Sequence, residues 1–149
     1  MAEVLFYHLT ESTLEEALPG LLERSVGRGW RAVVQTGSEE RRDALDQHLW
    51  TFRDDSFLAH GTDREPYTAE QPVLLTTGEA NANGAAIRFL VDGAVPPDLT
   101  GYERAVFLFD GHDAEQLQAA REHWKALKAS GHAVTYWQQS GDRRWERKA

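Results

Sequence analysis

At 149 residues, 41% of them hydrophobic, the chain is long enough for one domain with its own core and too short for two ordinary ones. Without cysteine it can build neither a disulfide framework nor a thiolate metal site, and no run approaches the roughly 20 apolar residues of a membrane span. A formal net charge of −8 argues against binding along a nucleic-acid backbone, which demands a basic surface.

The opening MAEVLFYHL lacks the basic start and long apolar run of a signal peptide, so a cytoplasmic protein is expected. Glu3 to Leu9 reads as a first strand. Thr10, Glu11 or Ser12 can cap the helix that follows, with Leu14, Ala17, Leu21, Leu22 and Val26 at helical spacing. Pro19 is expected to kink this helix or split it, because proline lacks the backbone donor and crowds the preceding turn. Trp30 to Gln35 is a second strand. Ser38 is a good N-cap for a helix from Glu39 to Trp50, with Glu39 and Glu40 where the helix dipole favours anions.

Residues 51–71 mix turn formers with aromatics and read as one long loop, a length that in a compact domain usually marks function. Pro72 to Thr76 and Ala86 to Val91 are strands joined by a Gly/Asn/Ala-rich turn, which suggests an antiparallel pair. After a proline-containing connection, Arg104 to Phe109 is a strand. Asp113 and Gln116 have capping-box spacing for a helix that ends near Ser130, with Gly131 at its exit, and His132 to Trp137 resumes strand composition. Six strands and three helices, alternating at both ends, indicate an α/β fold: a Rossmann-like three-layer sandwich with a mixed, largely parallel sheet. A single domain is expected over residues 1–140, followed by a basic polar tail, 141–149, that frays.

The glycines after the strands do not form G-x-G-x-x-G or G-x-x-x-x-G-K-[ST], so a phosphate cradle is not encoded. Asp92, Asp110 and His112 close strands and could serve an acid–base or nucleotide site, although Asp-Gly is ordinary turn chemistry and Asp113 serves as a cap. The histidines lack metal-binding spacing, and no catalytic or metal residue is assigned. On the last helix, Leu117, Ala120, Trp124 and Leu127 form one stripe, with Arg121, Lys125 and Lys128 beside it. Trp124 is either core with a solvated cationic rim, or the centre of a surface for a partner with an apolar group and negative charge. The charges are unevenly placed: residues 111–149 carry seven Lys and Arg against five acids, a net of +2, whereas residues 1–110 carry a net of −10. Trp50, Phe52 and Phe57 cluster at the exit of the second helix, either capping the core or anchoring an interface.

FYHL at 6–9, RGWRAVV at 28–34, LDQHLW and SFLAHG within 45–61, and ARE-x-W-K at 120–125 stand in an order and spacing that resembles the chi subunit of bacterial DNA polymerase III holoenzyme, over nearly the whole chain. The resemblance implies a non-catalytic accessory protein with a Rossmann-like fold, no nucleotide site and no cofactor. It implies pairing with the psi subunit of the clamp loader and binding of the acidic, phenylalanine-terminated tail of single-stranded DNA-binding protein. A helicase-related protein is a further implied partner through the psi face. Carried over by motif, Arg121, Trp124 and Lys125 would hold the tail, with support from Lys128 and with the strand after Gly131 as one wall, and Trp50 and Phe57 would form the psi or helicase face. Leu117 departs from the family, which often has a basic residue there.

Overall fold

The computed structural model describes residues 2–52 and 58–149. Its strands are β1 (Glu3–Leu9), β2 (Ala32–Gln35), β3 (Gly61–Thr62), β4 (Val73–Thr76), β5 (Ile87–Leu90), β6 (Arg104–Asp110), β7 (Ala133–Gln139) and β8 (Trp145–Arg147), and its helices are α1 (Leu14–Gly27), α2 (Glu39–Thr51) and α3 (Ala114–Ala129). The strands form one sheet in the order β3-β4-β2-β5-β6-β1-β7-β8, parallel throughout except for the β7–β8 pair. Every residue of β2, β4 and β5 is buried, the polar Gln35, Thr76 and Arg88 included, as apolar-rich strands at the centre of a two-sided sheet should be. Leu18 and Leu22 of α1 and Leu45 and Leu49 of α2 pack into one core cluster. Ala120 of α3 joins a second cluster, containing Phe6, Leu74 and Phe107, on the other face. This is the expected three-layer sandwich.

Four expectations are corrected. Strands β4 and β5 do not pair; each lies parallel against β2, one on either side. Their connection must therefore cross β2, and it does so as a loop, tied down by the Asn83 amide, which donates to the Ala32 and Gln71 carbonyl oxygens at 3.0 and 2.9 Å. Arg88, fully buried in β5, bonds the Gln35 amide oxygen at 2.7 Å, the Gly78 carbonyl at 2.6 Å and the Tyr102 hydroxyl at 2.9 Å. Next, the stretch read as a loop contributes the short edge strand β3 and a turn of 3₁₀ helix at Thr68–Glu70.

The C-terminal stretch expected to fray instead turns back at Ser140–Arg144 and pairs with β7, Trp145 stacking on Tyr7 at 4.5 Å. Of the two alternatives for Pro19 the split is excluded, because α1 runs through it unbroken. Pro19 cannot donate to the Glu15 carbonyl one turn back; His48 of α2 donates there instead, its Nε2 2.6 Å from that oxygen. The cap of α1 is Thr13, one residue beyond the candidates, in a full capping box with Glu16.

Candidate functional site

Helix α3 begins at Asp113, whose carboxylate accepts from the Glu115 and Gln116 backbone N–H groups, and it ends where Gly131 takes a φ of 91°. Gln116 departs from a capping box, accepting instead from the Asp110 N–H at 2.9 Å and so fastening the helix to the end of β6. The apolar stripe read from the sequence meets the sheet: Ala120 is buried, and Leu117, Trp124 and Leu127 pack on the core cluster from its margin.

What α3 meets is a row of rings. Register brings Phe107, Phe6 and Tyr136 side by side across β6, β1 and β7, with His8 beside Phe109 one pleat on. Trp124 stands edge-on to both Phe6 and Tyr136, at 5.6 and 5.9 Å between centroids. Between α3 and these rings opens a groove of about 410 Å³. Its floor is His8, Phe109 and Tyr136, its helix wall is Leu117, Ala120 and Trp124, and Arg121 and Lys125 stand at its rim. Lys128 lies just outside, its Nζ 5.6 Å over the Trp124 ring. All three cations are exposed, and among the described residues none is held in an ion pair. Trp124 thus serves both readings: it is half core and half groove wall.

His8, Phe109 and Tyr136 were not named as candidate residues, although the strand after Gly131, which carries Tyr136, was expected as one wall. The Tyr136 hydroxyl is 2.7 Å from His8 Nδ1. Burial, then the charges of His112 and Arg121, pull the His8 pKa below its ordinary value, which favours the neutral ring. Gly111 makes room for this ring: a Cβ there would lie 2.2 Å from His8 Nε2 and 2.7 Å from the Leu9 carbonyl oxygen.

Trp50 is 48% exposed at the end of α2, its ring 4.2 Å from that of the buried His60. Phe57, read with it as one face, lies outside the described residues. Helix α2 packs against β3 and β4, whereas α3 packs against β6 and β7 on the opposite face. Trp50 at the end of α2 and the cations of α3 therefore belong to helices on opposite faces of the sheet.

Asp92, Asp110 and His112 do line one cleft, of about 350 Å³, at the strand ends. Each is already engaged: Asp92 with Arg41 at 3.0 Å, Asp110 with the His112 N–H at 2.8 Å, and His112 Nε2 with the Thr10 carbonyl at 3.0 Å. Where a phosphate could rest, three consecutive N–H groups of Thr10, Glu11 and Ser12 converge instead on Gln139 Oε1, at 3.2, 3.1 and 3.0 Å. Among the described residues no His, Asp and Glu side chains gather as a metal site, and no helix is long and apolar enough to cross a membrane.

The family model of the DNA polymerase III chi subunit, HolC, matches residues 1–135. The chain belongs to the DNA polymerase III chi subunit family. It is 28% identical to the DNA polymerase III subunit chi of Pseudomonas aeruginosa over 76% of this chain and 78% of that protein. It is 25% identical to the probable DNA polymerase III subunit chi of Rickettsia prowazekii over 61% of this chain, a match that spans about half, 55%, of that protein. A tRNA dimethylallyltransferase of Jannaschia is 25% identical over 74% of this chain and 44% of its own length. Membership makes this chi-family chain a relative of DNA replication proteins, and it accounts for the order of the motifs at 6–9, 28–34, 45–61 and 120–125.

Proposed function

We propose that this chain is a non-catalytic accessory subunit of DNA polymerase III that acts in the cytoplasm and bridges the clamp loader, through psi, to the C-terminal tail of single-stranded DNA-binding protein. The observation that carries the reading is the aromatic groove under unpaired cations on α3. An acidic tail ending in phenylalanine and a free carboxylate needs an apolar slot rimmed by positive charge. In this reading the terminal phenyl ring rests on Tyr136, Phe109 and the wall of Trp124. Arg121 and Lys125 hold the carboxylate, and Lys128 attracts the aspartates. Leu117 adds apolar contact where many relatives would add charge, so the tail leans more on its ring here. Trp50 and Phe57 anchor psi or, in its place, a helicase-related protein.

The reading calls for no cofactor and no direct contact with DNA, in keeping with a net charge of −8. Its test is fluorescence anisotropy of a labelled acidic peptide ending in phenylalanine. Lys125→Glu is expected to weaken binding about tenfold or more, equivalent to ~1.4 kcal/mol, with an unchanged melting curve. Amidating the peptide's C-terminus is expected to do the same. Full affinity in the Lys125→Glu variant at moderate salt, or indifference to amidation, would remove the tail from this groove.

A further inference from the structure

On the face opposite α3, helix α1 packs against β2 and β6, and a pocket of about 140 Å³ opens at its margin. Its floor is apolar, from Leu21, Ile87, Phe89 and Val106. Its rim is cationic, from Arg24, Arg28 and Arg104, with Tyr7 between them. The Arg28 guanidinium lies 4.1 Å from the centre of the Trp30 ring and that of Arg104 5.4 Å from the same ring, so one indole sets two of the three cations in place. Arg104 shares its charge with Glu3 at 2.6 Å. Among the described residues Arg24 and Arg28 have no ion-pair partner, and the Tyr7 hydroxyl has no hydrogen bond.

Arg24, in the last turn of α1, and Arg28, at its C-cap, are both favoured by the helix dipole although their like charges repel, but that does not account for Arg104 across the pocket. Three cations around an apolar hollow, in a chain of net charge −8, match a ligand that is both acidic and apolar. A nucleic acid fits less well. The Tyr7 ring is stacked on Trp145 at 4.5 Å and Trp30 lies under Arg28, so bases find these ring faces already covered.

We propose that this pocket is a second peptide-docking site, which takes an acidic segment of a partner protein and seats one of its apolar side chains between Arg24, Arg28 and Arg104. The site is separate from the α3 groove and stands whether or not that groove holds a C-terminal tail.

The probe is a short peptide of aspartate and glutamate around a central leucine, acetylated and amidated so that it offers the α3 groove no terminal carboxylate. A control peptide carries serine for leucine. Titrated into the isotope-labelled full chain, the leucine peptide is expected to shift the Trp30 indole resonance saturably and to bind about tenfold more tightly than the serine peptide, a difference of ~1.4 kcal/mol. The double variant Arg24→Gln/Arg28→Gln, checked for an unchanged melting curve, is expected to lose the response, and Trp124→Ala to keep it. The proposal is overturned by an unmoved Trp30 at millimolar peptide, by equal binding of the two peptides, or by loss of binding in Trp124→Ala. It is equally overturned if oligothymidylate binds the pocket more tightly than the leucine peptide.

Discussion

Proline at position 19 leaves the Glu15 carbonyl without its helical partner, and the replacement donor, His48, comes from a different helix 33 residues away. The sequence announces the missing donor at Pro19, but nothing local announces a rescuer at that distance. The pairing makes a thermodynamic cycle informative. His48→Phe is expected to cost about 1–3 kcal/mol in urea unfolding, the usual penalty of a stranded buried acceptor. In a Pro19→Ala background, where the alanine N–H can reach Glu15, the same substitution is expected to cost clearly less; equal costs in both backgrounds would mean that His48 acts through packing alone. A second residue-scale expectation concerns acid. The pKa values of His8 and His123 are both held below the ordinary 6.5, in each case chiefly by burial. The unfolded chain therefore binds protons at a pH where the folded one does not. Their contribution is fully present above pH 6.5 and is lost as pH falls through the lowered folded values. The urea midpoint is expected to drop as pH falls from 6.5 through the lowered folded values, and less steeply in His8→Asn; a midpoint indifferent to pH there would contradict the burial argument.

Among the elements, the long periodic ones were the most legible. Strand β1, helix α2 with its Ser38 cap and helix α3 with its Asp113 cap stand where periodicity and capping chemistry put them. The failures were short elements whose signals are tertiary. Strand β3 has two residues and β8 three, too few for an alternating pattern. The β4–β5 turn was misread because ten residues usually close a hairpin. Here the strands are only four residues long, about 13 Å, so a loop of that length can also cross β2. The apolar-rich runs VLLT and IRFLV, buried on both faces, were the better guide to parallel central strands. Besides its ladder to β7, strand β8 has the stack of Trp145 on Tyr7. Trp145→Ala is expected to cost on the order of 2 kcal/mol and to release residues 141–149 to rapid amide exchange, while β1–β7 pairing survives. Continued protection of Lys148, whose N–H donates to the Tyr136 carbonyl at 2.7 Å, would show that the backbone ladder suffices without the stack.

For the whole molecule, the uneven charge was visible in the sequence and finds a structural counterpart in α3. That helix carries its unpaired cations over an aromatic floor, while most of the acidic charge belongs to residues 1–110. The helix half of the groove could be read from spacing. Of the strand half, the resemblance implied the strand after Gly131 as one wall, but His8 and Phe109 join Tyr136 only through parallel register. The account requires more than one functional groove: it requires two surfaces that act independently, one at Trp124 and one at Trp50, held on opposite faces by a rigid sheet. The most direct measurement is light scattering after size exclusion of the full chain mixed with psi and single-stranded DNA-binding protein from the same organism. The account expects a ternary complex in wild type, a complex lacking only single-stranded DNA-binding protein for Trp124→Ala, and one lacking only psi for Trp50→Ala. Mutual exclusion of the two partners, or loss of both through either single substitution, would contradict it.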